Sequence, residues 1–191
     1  GTLDAANQLI TNNINLLGGT LVNTGGATNL TSLITTNSFG TISGVLSGTG
    51  ALTLSGANTY SGATTVNSSG SLKVGAANAL SANSAITLNG TSTLDLNSFS
   101  ASIGSLAGGG GTGGNVTLNA NTLTTGDASN TTFAGVISGA GAIAKYGTGV
   151  WTLSGTNTYS WRTTITNGTL ALVGGGSIAS SPTITVGTAA G

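Results

Sequence analysis

The chain has no cysteine, histidine or methionine among its 191 residues. Zinc, haem and iron–sulfur centres take their ligands from histidine and cysteine, so the usual ligand sets cannot be assembled. The Ser-His-Asp and Cys-His systems of nucleophilic catalysis are excluded for the same reason. A scaffold held together by disulfides is excluded as well. We therefore predict no cofactor and no metal site.

Charged residues are also scarce, at 3 % of the chain, and the formal net charge is zero. This balance leaves no basic surface for nucleic acid or for an anionic membrane. A polysaccharide lyase or hydrolase is the enzymatic alternative, but it needs clustered acids and bases, which six scattered charges barely supply. We predict a protein that is not an enzyme. The charged residues are Asp4, Asp95, Asp127, Lys73, Lys145 and Arg162.

Long apolar runs are absent too, and short alternating segments take their place. Examples are LTL at 52–54, ITL at 86–88, LDL at 94–96 and ITV at 184–186. Alternation with period two is typical of a strand that is buried on one face only. Gly, Asn and Ser separate the segments, and these residues favour turns. The pattern predicts an all-β chain with no substantial helix.

The strands predicted by this pattern are only three to five residues long, with turn signals on both sides. A sandwich or an up-and-down barrel would use hairpins with strands of five to ten residues. Short strands with one apolar face fit a right-handed parallel β-helix, a single-stranded solenoid in which coils stack about 4.8 Å apart. At roughly twenty residues per coil, we expect about nine coils over the whole chain, with Leu, Ile, Val and Ala inside.

One stretch of the sequence is written twice. Residues 42–72 read ISGVLSGTGALTLSGANTYSGATTVNSSGSL, and residues 133–170 read FAGVISGAGAIAKYGTGVWTLSGTNTYSWRTTITNGTL. Gly44 recurs as Gly135, and Leu54 recurs as Leu153, so the second copy has eight additional residues near 145–152. Internal repetition of this kind indicates a stacked repeat architecture.

The second copy resembles the autotransporter-associated β-strand repeat of bacterial passenger domains. The resemblance rests on FAGVISGAGAIAKYGTGVWTLSGTNTYS at 133–160, which contains a GVISG turn, a lysine-plus-glycine segment and a TLSG-x-NTY stretch. The first copy lacks the lysine segment. Residues 84–108 resemble the spacer between such repeats, whereas residues 1–39 are similar only in composition. We interpret residues 1–191 as one β-helix segment of a longer passenger, with spacer residues 73–132 between the two copies.

The resemblance implies a β-helical passenger or stalk that a Gram-negative cell exports by type V secretion and displays at its surface or releases. Its implied partners are a C-terminal translocator barrel in the same polypeptide and a host-cell surface or glycan. Because the ends of a solenoid present unpaired backbone groups, we also expect end-to-end self-association unless the ends are capped. The alternative function is a surface- or carbohydrate-binding solenoid module, or an ice-binding one.

Trp161 and Arg162 are the candidate surface contact. They replace Gly62 and Ala63 of the first copy. Adjacent residues on a strand face opposite sides, whereas at a turn both can project outward. An exposed indole beside a cation can stack on a sugar ring or on an aromatic group of a partner. The structural alternative is an aromatic residue that packs along the rim of the helix surface.

The remaining polar motifs have simpler interpretations. Tyr60 and Tyr159 occupy matching places in the two copies, which indicates corner residues with the hydroxyl at the surface. Asp95 is expected to face solvent from a strand, and Asp127 to act as a turn acceptor. The run GGGGTGG at 108–114 lacks the Lys-Ser/Thr of a phosphate loop and is expected to protrude from the coils.

Two side-chain arrays follow from stacking. Asn58 and Asn157 lie at equivalent turns and are candidates for amide ladders along the axis. Outward threonines are candidates for a flat hydroxyl array of the ice-binding kind, or they reflect ordinary strand propensity. These threonines are Thr53, Thr87, Thr93, Thr117, Thr152 and Thr185.

Overall fold

The computed structural model describes residues 70–110 and 114–187, residues 57–58 and 61–66, and the strands before residue 55. Twenty-one short strands follow one another, and no helix occurs in this part of the chain. In particular, these residues contain no helix that could cross a membrane. The strands are β1 (Thr2–Asp4), β2 (Ile14–Asn15), β3 (Thr20–Val22), β4 (Ile34–Thr35), β5 (Ile42–Gly44), β6 (Ala51–Leu54), β7 (Thr64–Val66), β8 (Ser71–Val74), β9 (Ala85–Leu88), β10 (Thr93–Asp95), β11 (Ala101–Ile103), β12 (Ser105–Gly108), β13 (Asn115–Thr117), β14 (Thr122–Thr125), β15 (Thr131–Phe133), β16 (Ile137–Ser138), β17 (Ala142–Lys145), β18 (Val150–Leu153), β19 (Thr163–Ile165), β20 (Thr169–Leu172) and β21 (Ile184–Val186).

The strands form three long parallel sheets that make up the faces of a solenoid. Sheet 1 has seven strands in the order β5-β7-β9-β12-β15-β18-β20. Sheet 2 has the order β6-β8-β10-β13-β16, and sheet 3 the order β11-β14-β17-β19-β21. Two further parallel pairs, β1-β3 and β2-β4, lie in the first fifty residues. The prediction of an all-β parallel β-helix is confirmed.

The register of the sheets gives the length of each coil. Paired residues are 18 to 22 positions apart, as in Thr64↔Ile86 and Ile143↔Thr163. The exception is Gly108↔Phe133, where the glycine-rich segment lengthens the coil to 25 residues. The expected twenty residues per coil is confirmed. Sheet 1 shows six successive steps of one coil each, and the rest of the predicted nine coils fall largely outside the described residues.

The core is a stack of aliphatic side chains from alternate strand positions. In β8, β9 and β14 every second residue is buried. Leu72, Leu94 and Val116 occupy one column of sheet 2 and are completely buried. Each coil therefore covers the apolar face of the coil before it, and this burial is the main source of stability.

Closely packed glycines form one corner of the solenoid. A Cβ atom on Gly135 would overlap the carbonyl oxygen of Gly114, and a Cβ on Gly155 would overlap that of Gly135. Only glycine allows backbones to approach this closely. Gly135 is the first glycine of GVISG, and Gly155 is the glycine of TLSG. The close stacking of the corners therefore requires glycine at these two places in the repeat.

Candidate functional site

The two sequence copies lie on different faces of the solenoid. In the first copy, LTL at 52–54 belongs to β6 in sheet 2, and TTV at 64–66 to β7 in sheet 1. In the second copy, WTL at 151–153 belongs to β18 in sheet 1, and TTI at 163–165 to β19 in sheet 3. The repeat is therefore not a unit of whole coils.

The described path of the chain differs between the two copies. In the first copy β5 lies in sheet 1 and β6 in sheet 2, and residues 45–50 between them lie outside the described residues. In the second copy β15 is followed by β16, β17 and β18, which complete a circuit and return the chain to sheet 1. The TLSG segment of the second copy therefore lies on another face than that of the first.

An asparagine in each copy bonds the backbone of the following coil despite the change of face. The amide N–H of Asn157 donates to the carbonyl of Ser177 at 2.9 Å, and that of Asn58 donates to Asn78 at 3.0 Å. The Asn157 side chain donates to Ser177 O at 3.0 Å and accepts from Ile137 N at 2.9 Å. The Asn58 side chain donates to Ala79 O at 2.6 Å. The predicted amide ladders are wrong, because these amides bind the backbone of neighbouring coils.

A buried pair of hydroxyl groups accompanies each asparagine. Thr163 Oγ1 lies 2.9 Å from Ser181 Oγ, which donates to the carbonyl of Trp161 at 2.8 Å. In the first copy Thr64 Oγ1 lies 2.9 Å from Ser84 Oγ, which donates to the carbonyl of Gly62 at 2.7 Å.

We call each set of asparagine and threonine, with its partners in the adjacent coils, an inter-coil clamp. The clamp of the second copy contains Asn157 and Thr163, and that of the first contains Asn58 and Thr64. In both clamps the threonine hydroxyl bonds to a serine that belongs to the following coil. A clamp therefore ties its own coil to the one that comes after it in the chain, and Asn157 also bonds Ile137 of the coil before it.

Tyr159 extends the second clamp. Its side chain is 1 % exposed, and its hydroxyl lies 2.7 Å from Thr163 Oγ1. The predicted surface position of this hydroxyl is wrong: the hydroxyl points inward because Thr163 and Ser181 offer a buried hydrogen-bonding chain. Tyr60 lies outside the described residues. Burial raises the pKa of Tyr159, and the hydrogen bond with Thr163 opposes part of that rise.

We expect Tyr159 to make the fold sensitive to alkali. The pKa of Tyr159 in the folded chain lies above the ordinary value of 10.0. Its contribution to the free energy of unfolding is therefore complete below pH 10 and is lost as the pH rises through the folded-state pKa. Tyr159→Phe should cost about 1 kcal/mol at neutral pH and remove this alkaline loss. Urea unfolding between pH 8 and pH 11 measures both effects.

Tyr146→Phe is the matched control, because Tyr146 is 47 % exposed, and its profile should follow that of the unchanged chain. Because the pKa of Lys145 is lowered from 10.5, its contribution makes the free energy of unfolding rise with pH below 10.5, opposite to the effect of Tyr159. This contribution is the same in all three proteins and cancels when they are compared. Equal alkaline losses in the unchanged chain and in Tyr159→Phe would contradict the prediction.

Lys145 is a second polar group at an inward position. Its side chain is 1 % exposed, and its ammonium group donates to the carbonyls of Gly147 at 2.9 Å and Asn167 at 3.4 Å, and to that of Tyr146. Burial lowers the pKa of Lys145, and the nearby Asp127 carboxylate partly offsets this. The lysine of the repeat therefore holds a corner of its own coil to the next coil.

The predicted acidic residues take the expected roles. Asp127 accepts from the backbone N–H of Ser129 at 2.7 Å, so its role as a turn acceptor is confirmed. Asp95 faces outward beside Lys73, with 3.9 Å between the charged atoms. It also accepts from Asn119 Nδ2 at 2.8 Å. In the glycine-rich run, residues 111–113 lie outside the described residues.

The six threonines proposed as an ice-binding array do not share a face. They fall on all three sheets, with Thr53 on sheet 2, Thr87 on sheet 1 and Thr185 on sheet 3. A flat array of these hydroxyls is therefore not formed, and the residues serve as ordinary outward strand positions.

Trp161 and Arg162 are brought together, at the bend that precedes β19. Both side chains are exposed, and the Trp161 side chain is 58 % accessible. Together they line a surface depression of about 300 Å³. Both side chains therefore project outward, which is one of the arrangements considered for them, and their role as a contact stays a prediction. The Trp161 indole also borders small side chains of the preceding coils, Ala120, Ala140 and Ala142.

The fold and its clamps define a class of protein. It is a parallel β-solenoid with sequence repeats whose side chains bond adjacent coils. The family model of the passenger-associated-transport-repeat matches residues 45–74 and 143–172. Both matched ranges contain the asparagine and the threonine of an inter-coil clamp. The chain thus carries two such repeats.

A relative among characterised proteins is the adhesin BmaC autotransporter of Brucella suis biovar 1 (strain 1330), which is 44 % identical over 92 residues. The match covers 45 % of this chain, and the chain spans about 3 % of the length of that relative. No solved structure matches the chain significantly. The predicted resemblance to an autotransporter passenger with repeats is confirmed.

Proposed function

We propose that the chain is a non-enzymatic, extracellular segment of a Gram-negative autotransporter passenger and serves as a stalk for surface display or adhesion. The relative is named an adhesin and an autotransporter, and the repeat family is named for transport of passengers. The scarcity of charged residues and the absence of histidine and cysteine support a structural role over a catalytic one. End-to-end association of the solenoid stays a prediction, which sedimentation at several concentrations tests.

The observation that carries this proposal is that the clamps bond adjacent coils to one another. Asn157 and Thr163 reach Ser177 and Ser181, which come later in the chain. An inward Lys145 likewise reaches Asn167 of the next coil. A folded coil therefore presents bonding groups to the coil that follows it, so that folding can propagate along the chain as in other repeat proteins. Outside the cell, such propagation opposes backsliding through the outer membrane.

The test is surface display of the chain by a Gram-negative cell that carries it ahead of a translocator barrel. The double variant Asn58→Ala/Asn157→Ala should reach the surface of intact cells severalfold less than the unchanged chain, measured by antibody binding without permeabilisation. Asn130→Ala is the control, because its side chain bonds the backbone of Val150 at an exposed site. Equal display of the double variant would contradict a role for the clamps in export.

A further inference from the structure

Trp161 takes part in the second clamp through its backbone carbonyl and not through its side chain. In the second clamp the carbonyl of Trp161 accepts a bond from Ser181, and in the first clamp the carbonyl of Gly62 accepts the equivalent bond from Ser84. The clamp geometry is thus the same with glycine at this place. The indole is an addition to the fold, and it stands 58 % exposed to solvent.

The indole borders two shallow depressions. The depression shared with Arg162 is completed by Pro182, Thr183 and Thr185 and measures about 300 Å³. The second, of about 280 Å³, lies over small side chains of the preceding coils, Ala120, Thr122, Ala140 and Ala142. Because its neighbours are so small, the ring forms a wall with open space on either side. An aromatic ring with accessible space beside it offers its electron-rich face to polarised C–H groups.

Arg162 supplies an unused positive charge to the same place. Within the described part of the chain, its guanidinium makes no ion pair or side-chain hydrogen bond. The two carboxylates with described side chains are engaged elsewhere, Asp95 beside Lys73 and Asp127 in its own turn. Guanidinium groups bind carboxylates through paired, charge-assisted hydrogen bonds. A negatively charged group on a ligand is therefore the natural partner of Arg162.

We propose that Trp161 and Arg162 form a binding site for a carboxylated sugar residue of an acidic polysaccharide. The sugar ring stacks on the indole, its carboxylate pairs with Arg162, and the hydroxyls of Thr183 and Thr185 lie in the same depression for hydrogen bonding. The depression is shallow and bordered by hydroxyl and small side chains, which favours a flat polar ring over an apolar peptide side chain. This goes beyond a display role, and it does not depend on the export route.

The chain carries its own reporter for this site. It has two tryptophans, and Trp151 is 2 % exposed whereas Trp161 is largely accessible. Quenching by acrylamide therefore acts mainly on Trp161. The probe is an oligogalacturonate of four sugars, compared with its methyl ester, which has the same size and no charge. We expect the acid to protect Trp161 from quenching and to bind at least tenfold more tightly than the ester.

Variants separate the two side chains. Trp161→Gly restores the residue of the first copy and should raise the Kd for the oligogalacturonate by about 30-fold, as for an aromatic contact at the centre of an interface. Arg162→Gln should bring the acid to the affinity of the ester. Tyr146→Ala removes another exposed aromatic residue and should leave binding unchanged. Circular dichroism confirms that each variant is folded.

The proposal is overturned by any of three results. The first is that the acid and its ester bind equally, and the second is that neither protects Trp161 at millimolar concentration. The third is that an acidic peptide of four glutamates binds at least as tightly as the sugar acid, which would assign the site to a protein partner. Because protection from quenching is measured on the unchanged chain, the test does not depend on whether a variant folds.

Discussion

Trp151→Ala is expected to lower the free energy of unfolding by about 3–5 kcal/mol, the usual cost of deleting a buried large aromatic side chain. Trp151 is 2 % exposed in the interior of β18. Its indole N–H donates to the carbonyl of Leu106 at 3.1 Å, although its own strand pairs with β15, which separates it from Leu106. The ring therefore fills space in more than one coil, and its loss leaves both a cavity and an unpaired carbonyl.

Urea unfolding followed by far-ultraviolet circular dichroism measures this change as a lower transition midpoint. Trp161→Ala is the matched control, because it removes the same side chain from the surface and should change stability by less than about 0.5 kcal/mol. A loss below about 1 kcal/mol for Trp151→Ala would show that the interior coils do not pack around this ring.

Asn157→Ala is expected to cost about 2–3 kcal/mol through the second inter-coil clamp. Asn157 is 2 % exposed, and its side chain bonds Ile137 N, Gly155 O and Ser177 O. These groups belong to successive coils, so alanine leaves buried backbone donors and acceptors unpaired. The cost of an unsatisfied buried group is about 1–3 kcal/mol, and water cannot replace the lost bonds at a site this deeply buried.

Asn130→Ala provides the comparison for this effect. Asn130 Oδ1 accepts from Val150 N at 2.8 Å, a bond between neighbouring coils like that of Asn157 to Ile137, but at an exposed site. Water can take its place there, and the expected cost is about 0.5–1 kcal/mol. The same denaturation assay measures both variants. If the two variants lose equal stability, burial does not distinguish the clamp from an ordinary surface bond.

The fold was predictable because its signal is local. Alternation in segments such as 52–54 and 86–88 determines which side chains face inward, and Gly or Asn between them gives the turns. The approximate coil length follows from the usual repeat length of solenoids, whereas the sequence left the orientation of Trp161 and Arg162 open. The pair itself stood out because it replaces Gly62 and Ala63 in an otherwise close repeat.

The face on which each repeat lies was not predictable, because it depends on the summed length of all the coils between the copies. One long coil between Gly108 and Phe133, and the eight additional residues of the second copy, change that sum without changing the local pattern. The inward positions of Tyr159 and Lys145 were missed for another reason. A sequence pattern places polar side-chain atoms at the surface, whereas here the Tyr159 hydroxyl bonds Thr163 and the Lys145 ammonium group bonds backbone carbonyls.

The clamps have a consequence for how such genes can lengthen. Since Asn58 and Asn157 make the same kind of bond on different faces, a duplicated stretch of DNA need not encode a whole number of turns. An insertion of part of a turn rotates everything downstream around the axis, yet bonds of the same kind join the coils again. The same rotation carries a residue such as Trp161 to a new side of the molecule, so duplication changes which surfaces point where as well as how far they extend.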